Sequence, residues 1–166
     1  MFKSIFLPLI AVVAFIILVG LLSQGKLDPF IKKVSPSPIV QNSKTIKIVN
    51  TEIKIEVAKS NEERSKGLSN RTKLDDNSGM VFIFPKDSKP VFWMKDTKIP
   101  LDLIWIDDNK IVGIDKNVQP EPSVLDNNLK KYPAPTPIDY VLEVNGEFSD
   151  KNNIKIGETI SGLEQL

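Results

Sequence analysis

From residue 45 onward apolar and polar residues alternate with period two over much of the chain, whereas residues 5–22 carry no charge at all. Period-two alternation is the signature of strands with one buried face. Ile46 and Ile48 alternate with lysines, Asn50-Thr51 offers a turn, and Ile53, Ile55 and Val57 then alternate with Lys54 and Glu56. That change of parity predicts a hairpin or a bulge. Further strands are expected at 80–84 (MVFIF), 91–95 (VFWMK), 101–106 (LDLIWI), 110–115 (KIVGID), 139–144 (DYVLEV) and 154–160 (IKIGETI), most of them separated by Gly, Pro, Asn or Asp. Asp107-Asp108-Asn109-Lys110 is the plainest hairpin turn.

One short helix is expected near 61–66, where Ser60 and Glu63 form a capping box and Gly67 supplies the stop. Seven or eight short strands and one short helix predict a mainly β body, a small closed or nearly closed barrel-like domain. The alternation fails between Asn117 and Pro137, which hold five of the chain's twelve prolines. A segment of that length inside a compact domain is either a rim or lid, a surface connection, or a missed element.

The uncharged run Ile5–Leu22 is 18 residues long and as a helix would span roughly 27 Å, close to the thickness of a bilayer's hydrocarbon. It exceeds the usual hydrophobic stretch of a signal peptide and is not followed by a clear small-residue cleavage site. Residues 1–22 are therefore read as a transmembrane anchor, with a cleaved signal sequence as the alternative, in which case the body is secreted. Residues 23–44, with Pro29, Pro36, Pro38, Ser35, Ser37 and Ser43, read as a disordered tether. The β domain is 45–166, placed outside the cytoplasm on a single-pass cell-membrane protein.

Charge sharpens this division. The chain's net +1 hides +4 on residues 1–44 and −3 on residues 45–166. A basic tether suits a membrane surface, and the acidic body has no electrostatic footprint for nucleic acid. The chain has no cysteine and no histidine, which excludes disulfides, zinc fingers, Cys nucleophiles and Ser-His-Asp triads. Asp75-Asp76-Asn77-Ser78-Gly79 has its glycine one place early for a calcium loop and no glutamate at the twelfth position, so it reads as a turn. No metal site and no cofactor is implied.

The remaining chemistry lies in carboxylates, lysines and one tryptophan block. Trp93 beside Lys95, with Asp96 just beyond the expected strand, could line a polar-aromatic pocket for a small ligand. Alternatively Trp93 fills the core and Lys95 and Asp96 make a surface pair. Asp102 and Glu143 interrupt apolar runs; strand alternation assigns both to the solvent side, and facing inward each would need a partner such as Arg71 or Lys95.

The residues Ala58, Glu63-Arg64, Gly67-Leu68, Arg71, Leu74, Gly79-Met80, Phe82 and Phe84 lead into Phe92-Trp93-Met94-Lys95, Thr97, Pro100-Leu101-Asp102, Tyr140-Val141-Leu142-Glu143 and Ile156-Gly157-Glu158. This pattern resembles the domain of unknown function 192 family over nearly all of 45–166. The resemblance implies a small, mainly β domain, often exported or membrane-tethered in bacteria and archaea, with no settled activity. It singles out Arg71, Trp93, Met94, Lys95, Asp102 and Glu143, as a shared site or a shared salt-bridge network. Ser69 stands where the family usually has Met and Asp96 where it usually has Asn. Asp96 adds a negative charge beside Lys95, which implies weaker binding of any anion there.

Three functions follow as expectations. The first is a membrane-tethered module binding a small polar ligand or envelope component around Arg71, Trp93, Met94, Lys95, Asp96, Asp102 and Glu143. The second is a His-free hydrolase or lyase working with carboxylate and lysine. The third is an accessory domain docking another envelope protein.

Overall fold

The structure, a computed structural model, describes residues 44–122 and 124–166. The expected membrane segment and all of the tether except Lys44 lie outside the described residues. Among the described residues, no helix is long and apolar enough to cross a membrane.

The isoleucines on alternate positions form a hairpin as expected: β1 (Lys44–Ile48) pairs antiparallel with β2 (Thr51–Ala58). The turn between them is Val49-Asn50, one residue before the expected Asn50-Thr51, with Val49 at φ 53° and Thr51 already paired with Ile48. Helix α1 (Asn61–Lys66) follows, with the Ser60–Glu63 capping box formed in both directions and Gly67 ending it at φ 45°. The excursion through α1 returns the chain to β3 (Ser78–Ser88), which pairs parallel to β2. After β4 (Val91–Phe92) come β5 (Leu101–Asp107) and β6 (Lys110–Val118), joined by the expected turn. Then follow β7 (Tyr132–Pro133), β8 (Ile138–Asn145), helix α2 (Phe148–Lys151) and β9 (Ile160–Ser161).

Seven strands make one sheet in the order β6-β5-β8-β3-β2-β1-β9, and β4 and β7 form a separate ribbon. The large sheet is curled. At one end residues 157–160 bond to the β6 side (Ile111 N to Glu158 O, 2.9 Å; Gly157 N to Ile111 O, 2.8 Å), while β9 pairs with β1. The expected barrel is therefore a half-barrel whose edge strands are linked at one end.

Both faces of the sheet are covered. Inside the curl, Ile46, Ile55, Val81, Ile104, Leu142 and Ile160 belong to one apolar cluster, to which both edges contribute. On the other face Phe82, Leu103, Trp105 and Val141 are covered by Leu68, Met94 and Tyr132 from the loops and short strands, with Val118 at the end of β6. Each such side chain contributes roughly 1.5–3 kcal/mol on burial. The second cover explains why LDLIWI reads as a nearly continuous apolar run: all six of its positions are buried, and in β5 only Asp107 is not.

Three elements differ from the sequence expectation. The strand expected at 91–95 stops at Phe92, because Met94 to Thr97 turns (Thr97 N to Met94 O, 3.2 Å) with Asp96 at φ 55°. The strand expected at 154–160 is reduced to its end, with Gly157 at φ 94° inside a turn. The one expected helix is joined by α2 and by two short 3-10 turns, Asp126–Asn128 and Leu163–Gln165.

Candidate functional site

Strand alternation and register place one row of side chains across the outer face of the sheet: Glu56 on β2, Met80 on β3, Glu143 on β8 and Leu103 on β5 are cross-strand neighbours in turn. Gly79, beside Met80, lets the two central strands pack, since a Cβ there would lie 2.5 Å from the Glu143 carbonyl oxygen. Where α1, the β4 segment and the 95–97 turn rise above this face they leave a cavity of about 470 Å³. Its floor is Phe82, Phe84 and Glu143, and its walls include Arg64, Lys66, Phe92, Trp93, Lys95, Asp96 and Thr97. Gly67 shapes one wall: its positive φ turns the chain out of α1, and a Cβ would sit 3.2 Å from the Phe82 ring.

Glu143 is the exceptional group. It is 6% exposed, it faces the cavity, and no hydrogen bond to its carboxyl forms among the described residues. Burial raises its pKa to about 8, so at neutral pH it keeps its proton. Around it the aromatic rings interlock edge to face: Phe92 meets Phe82 at 5.1 Å, Phe84 at 6.1 Å and Trp105 at 5.5 Å. The Arg64 guanidinium lies 5.1 Å over Phe84 and donates to the carbonyls of Lys59 and Ile83 and to the Asn61 side chain.

The expected site residues divide. Trp93, Lys95, Asp96 and Glu143 surround this one cavity, and Met94 is buried in the adjoining apolar cluster. Trp93 is 46% exposed, so it does not fill the core. Lys95 pairs with Asp126, not with Asp96, and this bond holds the Lys95 pKa above its ordinary value. Arg71 forms a two-pronged pair with Glu56, two strands from Glu143. The hydrogen bond and charge of Arg71 lower the Glu56 pKa, and the same bond raises that of Arg71.

Asp102 and Glu143 both depart from the solvent-facing expectation, because the sheet has no bare face in this region. Asp102 points to the other side of the sheet and accepts three backbone N–H bonds: from Asn117 (2.7 Å), Glu147 (3.0 Å) and Ser149 (2.7 Å). Neither acid is partnered by Arg71 or Lys95. Arg64, Lys66 and Phe84 were not among the expected site residues, although Arg64 and Phe84 stand in the family pattern. The signal was present for Arg64, one of only two arginines and adjacent to the capping glutamate.

The described residues of the Asn117–Pro137 segment line none of the cavity itself but contact two residues that do, Lys95 and Trp93. Its 3-10 turn supplies Asp126 to Lys95, Lys131 sits 4.3 Å over the Trp93 ring, and β7 pairs with β4. Among the described residues no group of three or more acidic side chains is placed to hold a metal ion.

The family model for DUF192, described as an uncharacterized ACR, matches residues 43–162. No curated protein matches the chain. Two solved structures are similar. A protein of unknown function from Novosphingobium aromaticivorans DSM 12444 is 30% identical, with a TM-score of 0.64 over 70% of this chain and 83% of that one. A "putative transcription regulator" from Sinorhizobium meliloti 1021 is 25% identical, with a TM-score of 0.65 over 72% of this chain and 92% of that one.

Proposed function

We propose that this chain, which belongs to the DUF192 family, is a membrane-tethered extracytoplasmic module that binds a small polar ligand or envelope component in the cavity over Glu143. The observation that carries the binding reading is Glu143 itself. A buried carboxyl with no internal partner costs folding free energy, and this one lies where a ligand can supply the missing hydrogen bonds. The cavity's volume is in the range of small-molecule sites, and its lining mixes aromatic rings with charged and polar side chains. The tether rests on the uncharged run Ile5–Leu22 and the basic residues that follow it.

The test is a thermal-shift screen of the full chain in detergent against sugars, nucleotides, amino acids, organic acids and divalent ions. A ligand at 100 times its Kd adds roughly 2.7 kcal/mol to stability. The expected result is a shift in one chemical class that disappears in Glu143→Leu, a change that keeps the volume and removes the polar floor. No shift with any class, or a shift unchanged in Glu143→Leu, overturns the reading. Carbonate extraction of cell membranes tests the tether: the chain should stay in the pellet, and release into the medium identifies a cleaved signal instead.

One observation favours a second reading. A carboxyl held near pKa 8 by burial is poised for general acid–base work at neutral pH, as a His-free hydrolase or lyase would require. Glu143→Gln separates the two: an enzyme loses turnover with binding kept, whereas a binding module has no turnover to lose.

A further inference from the structure

We propose that the ligand is a small organic anion carrying a hydroxyl group, its charge held at the cavity mouth by Lys66 and Arg64 and its hydroxyl bonded to Glu143 on the floor. This rests on the binding reading above and names the class of ligand.

The charges around the cavity carry the argument. Three cations line it, Arg64, Lys66 and Lys95, against one acid besides Glu143, which is Asp96. Lys95 is neutralised by Asp126. Arg64 makes no ion pair among the described residues: the groups accepting from its guanidinium are two carbonyls and an amide oxygen, and Glu63, the neighbouring acid on which its charge acts, is bonded to the Lys59 and Ser60 N–H groups. Lys66 takes part in no ion pair among the described residues. The acid on which the Lys66 charge acts, Glu56, is already held by both prongs of Arg71. Lys66 and Arg64 therefore stand beside the cavity without a bonded anionic partner, and an arriving anion meets attraction there while an arriving ammonium meets repulsion.

A buried carboxyl among aromatic rings would otherwise suggest an ammonium ligand. Here two of the ring faces are already taken by the protein's own cations, Arg64 over Phe84 and Lys131 over Trp93. Glu143, protonated at neutral pH by its burial, offers one O–H donor and one carbonyl acceptor instead of a negative charge. A hydroxyl, which both donates and accepts, completes that pair. Between the two ends Phe82, Phe84 and Phe92 accommodate an apolar body.

Three ring compounds of matched size separate the possibilities by isothermal titration of the full chain: 4-hydroxybenzoate (anion), 4-hydroxybenzyl alcohol (neutral) and tyramine (cation). Glycolate and glycerol 3-phosphate extend the anion arm beyond aromatic bodies. The anions should bind and tyramine should not. Lys66→Glu should weaken anion binding about tenfold, and Asp96→Asn should tighten it by about two- to threefold, since the first reverses a positive charge beside the bound anion and the second removes a single negative one. Glu143→Gln, which also offers a donor and an acceptor, should keep anion binding, and Glu143→Leu should lose it. Tighter binding of tyramine or of the neutral alcohol than of 4-hydroxybenzoate overturns the inference. So does anion binding indifferent to Lys66→Glu, or failure of every anion while another class in the screen shifts melting; all three outcomes leave the binding reading standing. Failure of every class overturns both.

Discussion

Asp102 and Glu143 lie on neighbouring strands, one rung apart, on opposite faces of the same sheet: Asp102 is opposite Val144, and Glu143 opposite Leu103. Both are buried acids in apolar runs, and their surroundings differ in one respect. Asp102 accepts three backbone N–H bonds, two of them from Glu147 and Ser149 at the start of α2 and the third from the end of β6. Glu143 accepts none within the described chain and opens on a cavity. A saturated buried carboxylate fixes the fold by satisfying donors that would otherwise be stranded. An unsaturated one is a cost of folding, and its location beside a cavity is what supports the proposed ligand.

The comparison breaks most readily at Asp102. Asp102→Ala strands three buried or half-buried N–H groups together and should destabilise the protein by roughly 3–6 kcal/mol. Urea unfolding measures this, and a loss below about 1 kcal/mol would remove Asp102 from its structural role. Ligand binding by whatever fraction remains folded should be unchanged, because the carboxyl faces away from the cavity.

Glu143 should show the opposite behaviour. Its pKa is about 8 in the folded state against 4.5 for the free group. Between those values the unfolded chain releases a proton that the folded chain keeps. This group's contribution therefore makes the protein less stable as pH rises, by about 1.4 kcal/mol per pH unit, until it levels off above the folded pKa. Glu143→Gln should remove that slope, and Glu143→Leu should raise stability at pH 7 by about 1–3 kcal/mol. Melting curves from pH 5 to 9 for the three proteins decide it. Parallel curves would mean that Glu143 finds a partner in solution.

A third acid lies in the same cross-strand row as Glu143, and it is paired. Glu56 is held by Arg71 at a site about one-third exposed, so solvent weakens the attraction. Arg71→Ala should cost about 0.5–1 kcal/mol at pH 7, measured by urea unfolding. The pairing lowers the Glu56 pKa, so its stabilisation is present above the ordinary value of 4.5 and is lost as pH falls through the lowered one. The Arg71→Ala difference should therefore shrink in acid. The row would then hold one paired acid and one unpaired acid, with stability changing in opposite directions as pH rises.

These contrasts mark what was legible in the sequence. The β1–β2 hairpin, the capping box of α1 and the positions of β5, β6 and β8 follow from local alternation and turn chemistry, and the structure contains them. The roles of Asp102 and Glu143 do not follow, because parity separates two faces without saying whether each is covered. The second cover comes from loops and two-residue strands: Tyr132–Pro133 pairs with Val91–Phe92 across a stretch that reads as Pro-rich connection. Trp93 and Lys95 were expected at a pocket edge from the aromatic and charged block they share, whereas Arg64 and Lys66 were not among the expected site residues. They come from a polar helix that buries no residue and reads as solvent-exposed surface.

The smallest effect concerns the rim. Lys95 and Asp126 form an exposed pair, and pairs of that kind contribute little to global stability. Lys95→Met should therefore leave the melting temperature unchanged. The pair nevertheless joins the 95–97 turn to the 3-10 turn at Asp126–Asn128, and Lys131 over Trp93 is a second link between the same two segments. Cutting the first link should speed amide hydrogen exchange at residues 124–130 without altering the sheet, because local opening draws on local contacts alone. If Lys95→Met instead lowers the melting temperature along with the exchange protection of β8, the rim and the sheet open as one unit. The contrast between a sheet that fixes the fold and a rim that borders the cavity would then have to be redrawn.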